Sequence, residues 1–245
     1  TLTSPVLNGT LTGTAFLDED DMASDSATKL ASQQSIKAYF DNATVADYTA
    51  AKALAAGVYS SIWIEDASRG GMFVWRSGDQ SASITAGPYE GVWVPPSSDA
   101  TGASGAWQRI ITDDRYQLLW FDVDVTGATN NWTELSNAVA LASGKTLCIP
   151  KGTIKATVPN ASATITPGAG TRIQGAGFGS LIAFDGAVST TAKIWTLSND
   201  NITFSDIKLT SSIIDSLCAM FDPQGTRLVF DRIRVEMGQT TARIG

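Results

Sequence analysis

The last third of the chain contains a sequence repeat that limits the possible folds more than any other feature. The segment at 201–209 aligns without gaps on the segment at 227–235, 26 residues later. Hydrophobic residues coincide in the pairs Ile202 and Leu228, Phe204 and Phe230, Ile207 and Ile233, and Leu209 and Val235. Within each segment apolar residues lie two apart, which is typical of strands that point alternate side chains inward. Self-similarity at this period is typical of a solenoid, so we expect stacked turns.

Two earlier segments fit as preceding turns of the same stack, KTLCIPKGTI at 145–154 and TRIQGAGFGSLIAF at 171–184. About four turns are then visible. Each buried side chain contributes about 1.5 to 3 kcal/mol, but only when neighbouring turns cover it. The glycines Gly175, Gly177 and Gly179 are predicted to permit sharp corners, because the segment after them has the pattern of a strand rather than of the helix that a phosphate-binding loop opens.

An amphipathic helix is predicted just before the first turn, over 131–143. Its apolar positions are Trp132, Leu135, Ala138 and Val139. We expect Asn130 or Asn131 to cap it and Gly144 to end it. Such a helix can cover the apolar N-terminal end of a solenoid. No comparable segment follows Val235, so we expect the polypeptide to continue beyond Gly245, or residues 1–245 to be its only ordered part.

Residues 1–56 are rich in Thr, Ser, Ala and Asp and lack the apolar residues for a core of their own. We predict a helix from Ser26 to Asp41 and a second one from Val45 to Ala56, ending at Gly57. The acidic cluster at 18–21 suits a helix N-terminus better than a calcium loop, because the spacing of calcium ligands is absent.

Residues 57–118 are predicted to form a small antiparallel β domain. Its strand segments are VYSSIWIED, GGMFVWRSGD, GVWVPP and GAWQRII. These segments also contain Trp63, Trp75, Trp93 and Trp107. A domain of this size needs aromatic residues for its core, so burial is the favoured interpretation, and a carbohydrate-stacking surface is the alternative.

The composition excludes several classes of function. The chain has no His and a net charge of −7, so imidazole-based catalysis and broad nucleic-acid binding are not expected. No stretch is long and apolar enough to span a membrane. Cys148 and Cys218 are expected to be buried free thiols. No catalytic, cofactor-binding or metal-binding residue is assigned, and no cofactor is expected.

Three segments resemble parts of phage tail spikes and tail fibres that carry a pectate-lyase-like right-handed β-helix. LDEDDMASDSATKLASQQSIKAYFDN resembles their linker helix, and GGMFVWRSGD with GAWQRI resembles the small β module before the β-helix. The segment from FDVDVTGATNN to KTLCIPKGTI resembles the entry to the β-helix, with Pro150, Gly152 and Ile154 in its last motif. Asn130 and Asn131 replace the acidic pair that is usual there.

The resemblance covers about residues 12–245 and implies a mostly β homotrimer with three parts. These are an N-terminal arm and linker helices at 1–56 for virion attachment and trimerisation, the β domain at 57–118, and a capping helix with the first β-helix turns at 119–245. It implies a structural role in the virion tail, docking on tail or adaptor proteins through the N-terminal region, and recognition of bacterial surface polysaccharide by the distal part. No nucleic acid and no membrane insertion are expected.

Two alternatives remain open. A glycan depolymerase, hydrolase or lyase, would need paired carboxylates, for which the solenoid offers Asp185, Asp206, Asp215, Asp222, Asp231 and Glu236. The repeat does not place acids at equivalent positions, so we expect no enzyme activity from residues 1–245, and any depolymerase activity in a further C-terminal part. The second alternative is a carbohydrate-binding module that uses the tryptophans of the β domain.

Overall fold

The computed structural model describes residues 16–17, 30–31, 36, 44–85, 91–186, 193–212 and 219–237. Predictions for the acidic cluster at 18–21, for Cys218 and for Asp215 lie outside these residues. The first described elements are the short parallel strands β1 (Phe16–Leu17) and β2 (Leu30–Ala31). A continuous helix from Ser26 to Asp41 is therefore wrong at Leu30 and Ala31, because the backbone there bonds to a neighbouring strand instead of to its own next turn.

A five-stranded sheet with the order β3-β4-β5-β7-β6 forms the small β domain. Its strands are β3 (Thr44–Val45), β4 (Ser61–Ile64), β5 (Gly71–Ser77), β6 (Trp93–Val94) and β7 (Gly105–Arg109). All neighbours are antiparallel except β3 and β4. The four strand segments predicted from the sequence are present, and Thr44–Val45 adds a fifth.

Helix α1 (Tyr48–Ala53) covers one face of this sheet, and a short helix α2 (Ser81–Thr85) follows β5. Asp47 caps α1, because its side chain accepts a hydrogen bond from the Ala50 N–H at 2.8 Å. The predicted second helix is thus present but shorter than expected. Its buried Tyr48 and Ala51 join the sheet core around Phe73 and Trp107.

The rest of the chain is a parallel β-solenoid of about three turns. Face A contains β8 (Arg115–Gln117), β9 (Thr146–Ile149), β11 (Arg172–Gly175) and the first halves of β14 (Thr203–Ser211) and β16 (Val229–Met237). Face B contains β10 (Gly152–Thr157), β12 (Ser180–Asp185) and the second halves of β14 and β16. Face C contains β13 (Lys193–Leu197) and β15 (Ala219–Pro223).

The strand register confirms the sequence repeat. Phe204 lies beside Phe230, Ile207 beside Ile233 and Leu209 beside Val235. The rings of Phe204 and Phe230 are stacked with centroids 5.7 Å apart. Columns of buried side chains run along the axis, for example Leu147, Ile173 and Phe204 on face A. Stacking of equivalent positions is therefore what builds the core.

Helix α3 (Trp132–Leu141) lies at the N-terminal end of the solenoid, as predicted, and buries Leu135, Ala138 and Val139. Asn131 occupies the N-cap position, but it is the Asn130 side chain that accepts the hydrogen bond from the Trp132 N–H, at 3.0 Å. The same Asn130 oxygen accepts from the Thr157 N–H at 2.7 Å. Asn130 therefore ties the start of the helix to the end of β10.

The glycine segment between β11 and β12 is a corner, as predicted. Gly177 has φ of +93°, and a Cβ on Gly175 would lie 2.3 Å from the backbone oxygen of Asp206 on the next turn. Cys148 is a free, buried thiol, also as predicted.

Candidate functional site

An open groove of about 620 Å³ runs along face B of the solenoid. It crosses β10, β12, β14 and β16 and begins at Gly127, in the loop before α3. Its polar lining includes Thr153, Lys155, Asp185, Thr210, Ser212 and Glu236. Because adjacent strands are about 4.8 Å apart, the groove extends roughly 15 Å from β10 to β16 along the axis. An extended polymer could lie in it.

Charged side chains in and beside the groove are paired with each other. Lys155 Nζ lies 3.2 Å from Asp185 Oδ2, and Asp185 Oδ1 accepts a hydrogen bond from Thr157 Oγ1 at 2.6 Å. At the other end, Glu236 is 2.7 Å from Lys208 Nζ and 2.6 Å from Arg234 Nη2. The groove thus combines fixed charges with hydroxyl groups, which suits hydrogen bonding to a polyhydroxylated ligand.

The structure does not bring the acids considered for catalysis together. Asp206 is at the corner between faces A and B, Asp222 on face C and Asp231 on face A. Only Asp185 and Glu236 share the groove, and β14 lies between their strands. Their backbones are therefore about 10 Å apart along the axis, at or beyond the separation that carboxylate pairs of glycosidases use.

Each of the five acids that the structure describes is in an ion pair. The pairs are Asp185 with Lys155, Asp206 with Arg232, Asp222 with Lys193, Asp231 with Arg232, and Glu236 with Lys208. A hydrogen bond from Lys208 holds the pKa of Glu236 below its usual value, and hydrogen bonds from Arg232 and Lys193 do the same for Asp206 and Asp222. A general acid needs a raised pKa, so Glu236, Asp206 and Asp222 are unsuited to protonating a leaving group.

The four tryptophans of the β domain differ in exposure. Trp107 is fully buried, and Trp75 packs against it edge to face with ring centroids 5.1 Å apart. Trp93 is half-buried and packs against the solenoid core. Trp63 alone among them is exposed, at 51%. The core interpretation is thus right for Trp107, and Trp63 is left as the candidate for stacking on a ligand.

The basic residues of the groove were missed by the sequence reasoning, which considered only acids. The repeat could have indicated these basic residues, because Lys208 aligns with Arg234 at an outward-pointing position. Within the described ranges, no cluster of His, Cys, Asp or Glu could hold a metal ion. No helix in that part of the chain is long and apolar enough to cross a membrane.

Comparison with solved structures shows that the fold is similar to that of phage tailspike proteins. The crystal structure of tailspike protein gp49 from Acinetobacter baumannii bacteriophage Fri1, a capsular polysaccharide depolymerase, superposes with a TM-score of 0.53 at 13% sequence identity, over 80% of this chain and 38% of that one. The Acinetobacter baumannii phage AM24 tailspike gives 0.41 at 14% identity, over 85% and 46% of the two chains. Pantoea stewartii WceF, a glycan biofilm modifying enzyme with a tailspike-like parallel β-helix, gives 0.35 at 10% identity, over 82% and 49%.

No protein-family model matches the sequence, and no curated protein is similar to it. The chain spans less than half the length of each of these three structures. At such low identity the likeness concerns the fold, and only the first structure superposes with a TM-score above 0.5. The chain therefore has a tailspike-like parallel β-helix.

Proposed function

We propose that this chain is part of a phage tail spike and recognises a bacterial surface polysaccharide through the groove on face B. The observation that carries the proposal is the position of this groove, which follows the axis of a tailspike-like β-solenoid and is lined by hydroxyl and charged groups. The structurally similar Fri1 protein is described as a capsular polysaccharide depolymerase, which supports a polysaccharide as the ligand class.

Recognition without cleavage fits the described residues better than hydrolysis does. The acids of the groove are paired with Lys155, Lys208 and Arg234, and they are on strands that are not adjacent. They can accept hydrogen bonds from sugar hydroxyls, and the hydrogen bond from Lys208 that lowers the pKa of Glu236 makes this acid a poor proton donor. Release of new reducing ends from a bound polysaccharide by this chain would contradict this part of the proposal.

Binding can be measured by isothermal titration calorimetry with size-fractionated capsular polysaccharides from a panel of bacterial strains. We expect at least one polysaccharide to bind, and the double variant Lys155→Ala/Asp185→Asn to bind it at least tenfold more weakly. This double variant removes both members of the ion pair, so no charge is left unpaired. The matched control is Lys193→Ala/Asp222→Asn, which removes a similar pair from face C. Equal loss in both variants, or no binding by any polysaccharide, would contradict the proposal.

We further propose that the N-terminal region anchors the chain to the phage tail and that the chain assembles as a homotrimer. The support is the sequence of residues 1–43, which is rich in Thr, Ser, Ala and Asp and for which we expect no core without neighbours. Multi-angle light scattering should give three times the chain mass of 25.8 kDa. A monomer that is stable at micromolar concentration would count against the trimer.

A further inference from the structure

The outer face of the small β domain carries a row of large apolar side chains. Trp63, Met72 and Ile110 are 51%, 45% and 41% exposed. Trp63 on β4 lies opposite Met72 on β5, and the Ile110 N–H donates to the Met72 carbonyl oxygen at 2.9 Å. The three side chains are therefore neighbours on one face, spanning about 10 Å across three strands. We call these three residues the apolar row.

The apolar row is separate from the core of the domain. The residues that flank its members in sequence, Ile62, Ile64 and Phe73, are buried on the opposite face, where they pack against α1. Because strand side chains alternate between faces, the row cannot also contribute to that core. A contiguous row of exposed apolar residues on a folded domain is unusual and typically marks a binding surface.

The apolar row ends at a polar cleft of about 310 Å³ between the sheet and β8, the first solenoid strand. Ile110 belongs to both, and the cleft is also lined by Arg76, Gln108, Asp113 and Tyr116. Clefts between two packed units are a preferred position for small-ligand sites.

Several polar groups of the cleft have no partner among the described residues. Arg76 donates from Nε to Gln108 Oε1 at 2.7 Å, which leaves its two terminal nitrogens without a protein acceptor in the described ranges. The Asp113 carboxylate and the Tyr116 hydroxyl are likewise unpaired within that part of the chain. Burial raises the pKa of Tyr116, so its hydroxyl stays protonated and can donate as well as accept.

We propose that the apolar row and the cleft form a second carbohydrate site, which binds a short neutral oligosaccharide with one sugar stacked on Trp63. The C–H face of a pyranose ring is apolar and fits the indole and its neighbours, whereas the sugar hydroxyls match the unpaired donors and acceptors of the cleft. Five charged residues line the cleft: Lys145 is paired with Asp114, and Arg109 donates to the backbone oxygens of Gly91 and Gly70. The remaining two, Arg76 and Asp113, carry opposite charges, so a neutral sugar fits the cleft better than an acidic one. The inference rests on the proposed function only for its ligand class, because the two sites are on different sheets.

The test is an array of neutral and acidic oligosaccharides of two to six sugars from bacterial capsules and O-antigens. We compare the wild-type chain and the groove variant Lys155→Ala/Asp185→Asn, each with and without Trp63→Ser. Neutral oligosaccharides should bind both parents, and Trp63→Ser should reduce this binding at least fivefold in both. If the groove variant binds every oligosaccharide as tightly as the wild type does, only the proposed function is contradicted. The Trp63→Ser comparison would still test the second site.

Two further variants complete the experiment. Tyr116→Phe removes one hydroxyl from the cleft without changing the packing of the ring, and it should weaken the same oligosaccharides at least threefold. The matched control is Phe178→Ser, because Phe178 is 52% exposed and lies in neither site. The proposal is overturned if no oligosaccharide on the array binds, or if Trp63→Ser and Phe178→Ser have equal effects. It is also overturned if Trp63→Ser lowers the assembly state in light scattering, since a second copy of the chain would then occupy the row.

Discussion

At the scale of single residues, one residue with a left-handed backbone conformation precedes the face A strand in each of four successive turns. Gly144, Gly170, Asn201 and Arg227 all have positive φ, between +56° and +74°. The strand register places them at equivalent positions of successive turns. Glycine takes this conformation at no steric cost and Asn tolerates it, whereas Arg does so with strain. The corner is thus set by the stack rather than by the preference of each residue.

Glycine is also required where two turns approach closely, and this gives a first prediction. We expect Gly175→Ala to lower the free energy of unfolding by about 1 to 3 kcal/mol, because its Cβ would lie 2.3 Å from the Asp206 backbone oxygen. The control is Gly179→Ala, whose Cβ would have its nearest contact at 3.8 Å. Urea unfolding monitored by circular dichroism measures both, and equal midpoints for the two variants would refute the steric argument.

A second prediction concerns pH and the loop before β7. Asp99 accepts hydrogen bonds from Thr101 Oγ1 and from the Ser104 N–H, both at 2.6 Å. The bond from Thr101 is the main cause that lowers the Asp99 pKa from 3.8 to about 2. Because the folded pKa is below the unfolded one, this carboxylate stabilises the fold above about pH 4 and loses that effect as pH falls towards 2.

Asp99→Asn tests this pH dependence by thermal unfolding. The melting temperature of the variant should be below that of the wild type at about pH 6, and the difference should shrink between about pH 4 and pH 2. Asp113→Asn is the control, because the Asp113 side chain has no hydrogen-bond partner among the described residues. A difference that is constant with pH would rule out the carboxylate as its source.

At the scale of elements, the capping helix is held in place by one buried amide. Asn131 Oδ1 accepts from the Asp124 N–H at 2.7 Å, and its Nδ2 lies 3.1 Å from the Thr129 carbonyl oxygen and 3.3 Å from that of Lys155. The side chain therefore connects the loop before α3, which contains Asp124 and Thr129, with α3 and β10. An acid at position 131 could not make the same contacts, because a carboxylate has no N–H to donate.

We therefore predict that Asn131→Ala destabilises the solenoid by about 1 to 2 kcal/mol, since the partly buried Asp124 N–H and Thr129 carbonyl lose their side-chain partner. Asn137→Ala is the matched control, because Asn137 is in the same helix and its side chain has no hydrogen bond within the described ranges. Hydrogen exchange of β10 amides should increase for Asn131→Ala only. Unchanged exchange in β10 would mean that the helix is held by its apolar face alone.

At the scale of the whole molecule, Arg109 joins the small β domain to the capped end of the solenoid. Its guanidinium is buried and donates to the carbonyl oxygens of Gly91 at 2.7 Å and Gly70 at 2.9 Å, and to Tyr48 Oη at 2.7 Å. It also lies over the ring of Trp120, 4.2 Å from the centroid. Trp120 belongs to the 3₁₀ helix Leu118–Phe121, which packs on the solenoid core. One side chain thus contacts α1, the sheet and the solenoid.

Replacing this side chain should affect both parts of the molecule. We predict that Arg109→Met lowers the free energy of unfolding by about 3 kcal/mol, because several buried oxygen atoms lose their donor. Arg109→Lys should recover little of this loss, because an ammonium group lacks the planar fork. Arg76→Met, at an exposed site, should stay within about 0.5 kcal/mol of the wild type. Near-ultraviolet circular dichroism during urea unfolding measures all three, and a wild-type midpoint for Arg109→Met would disprove the joining role.

The sequence by itself determined the repeating part of the fold. The repeat of apolar residues predicted the stack, the register of its last two turns and the inward columns, because these depend on a local pattern that is then repeated. The amphipathic pattern at 131–143 predicted the helix at its end. The tertiary structure alone decided how the acids pair, which tryptophan stays exposed and where Arg109 is buried. Asp206 meets Arg232 only because the turns stack, and Trp63 is exposed only because of the face to which its strand turns it. Contacts between residues far apart in the chain leave no local pattern, so the candidate groove and the second site exist only in the folded structure.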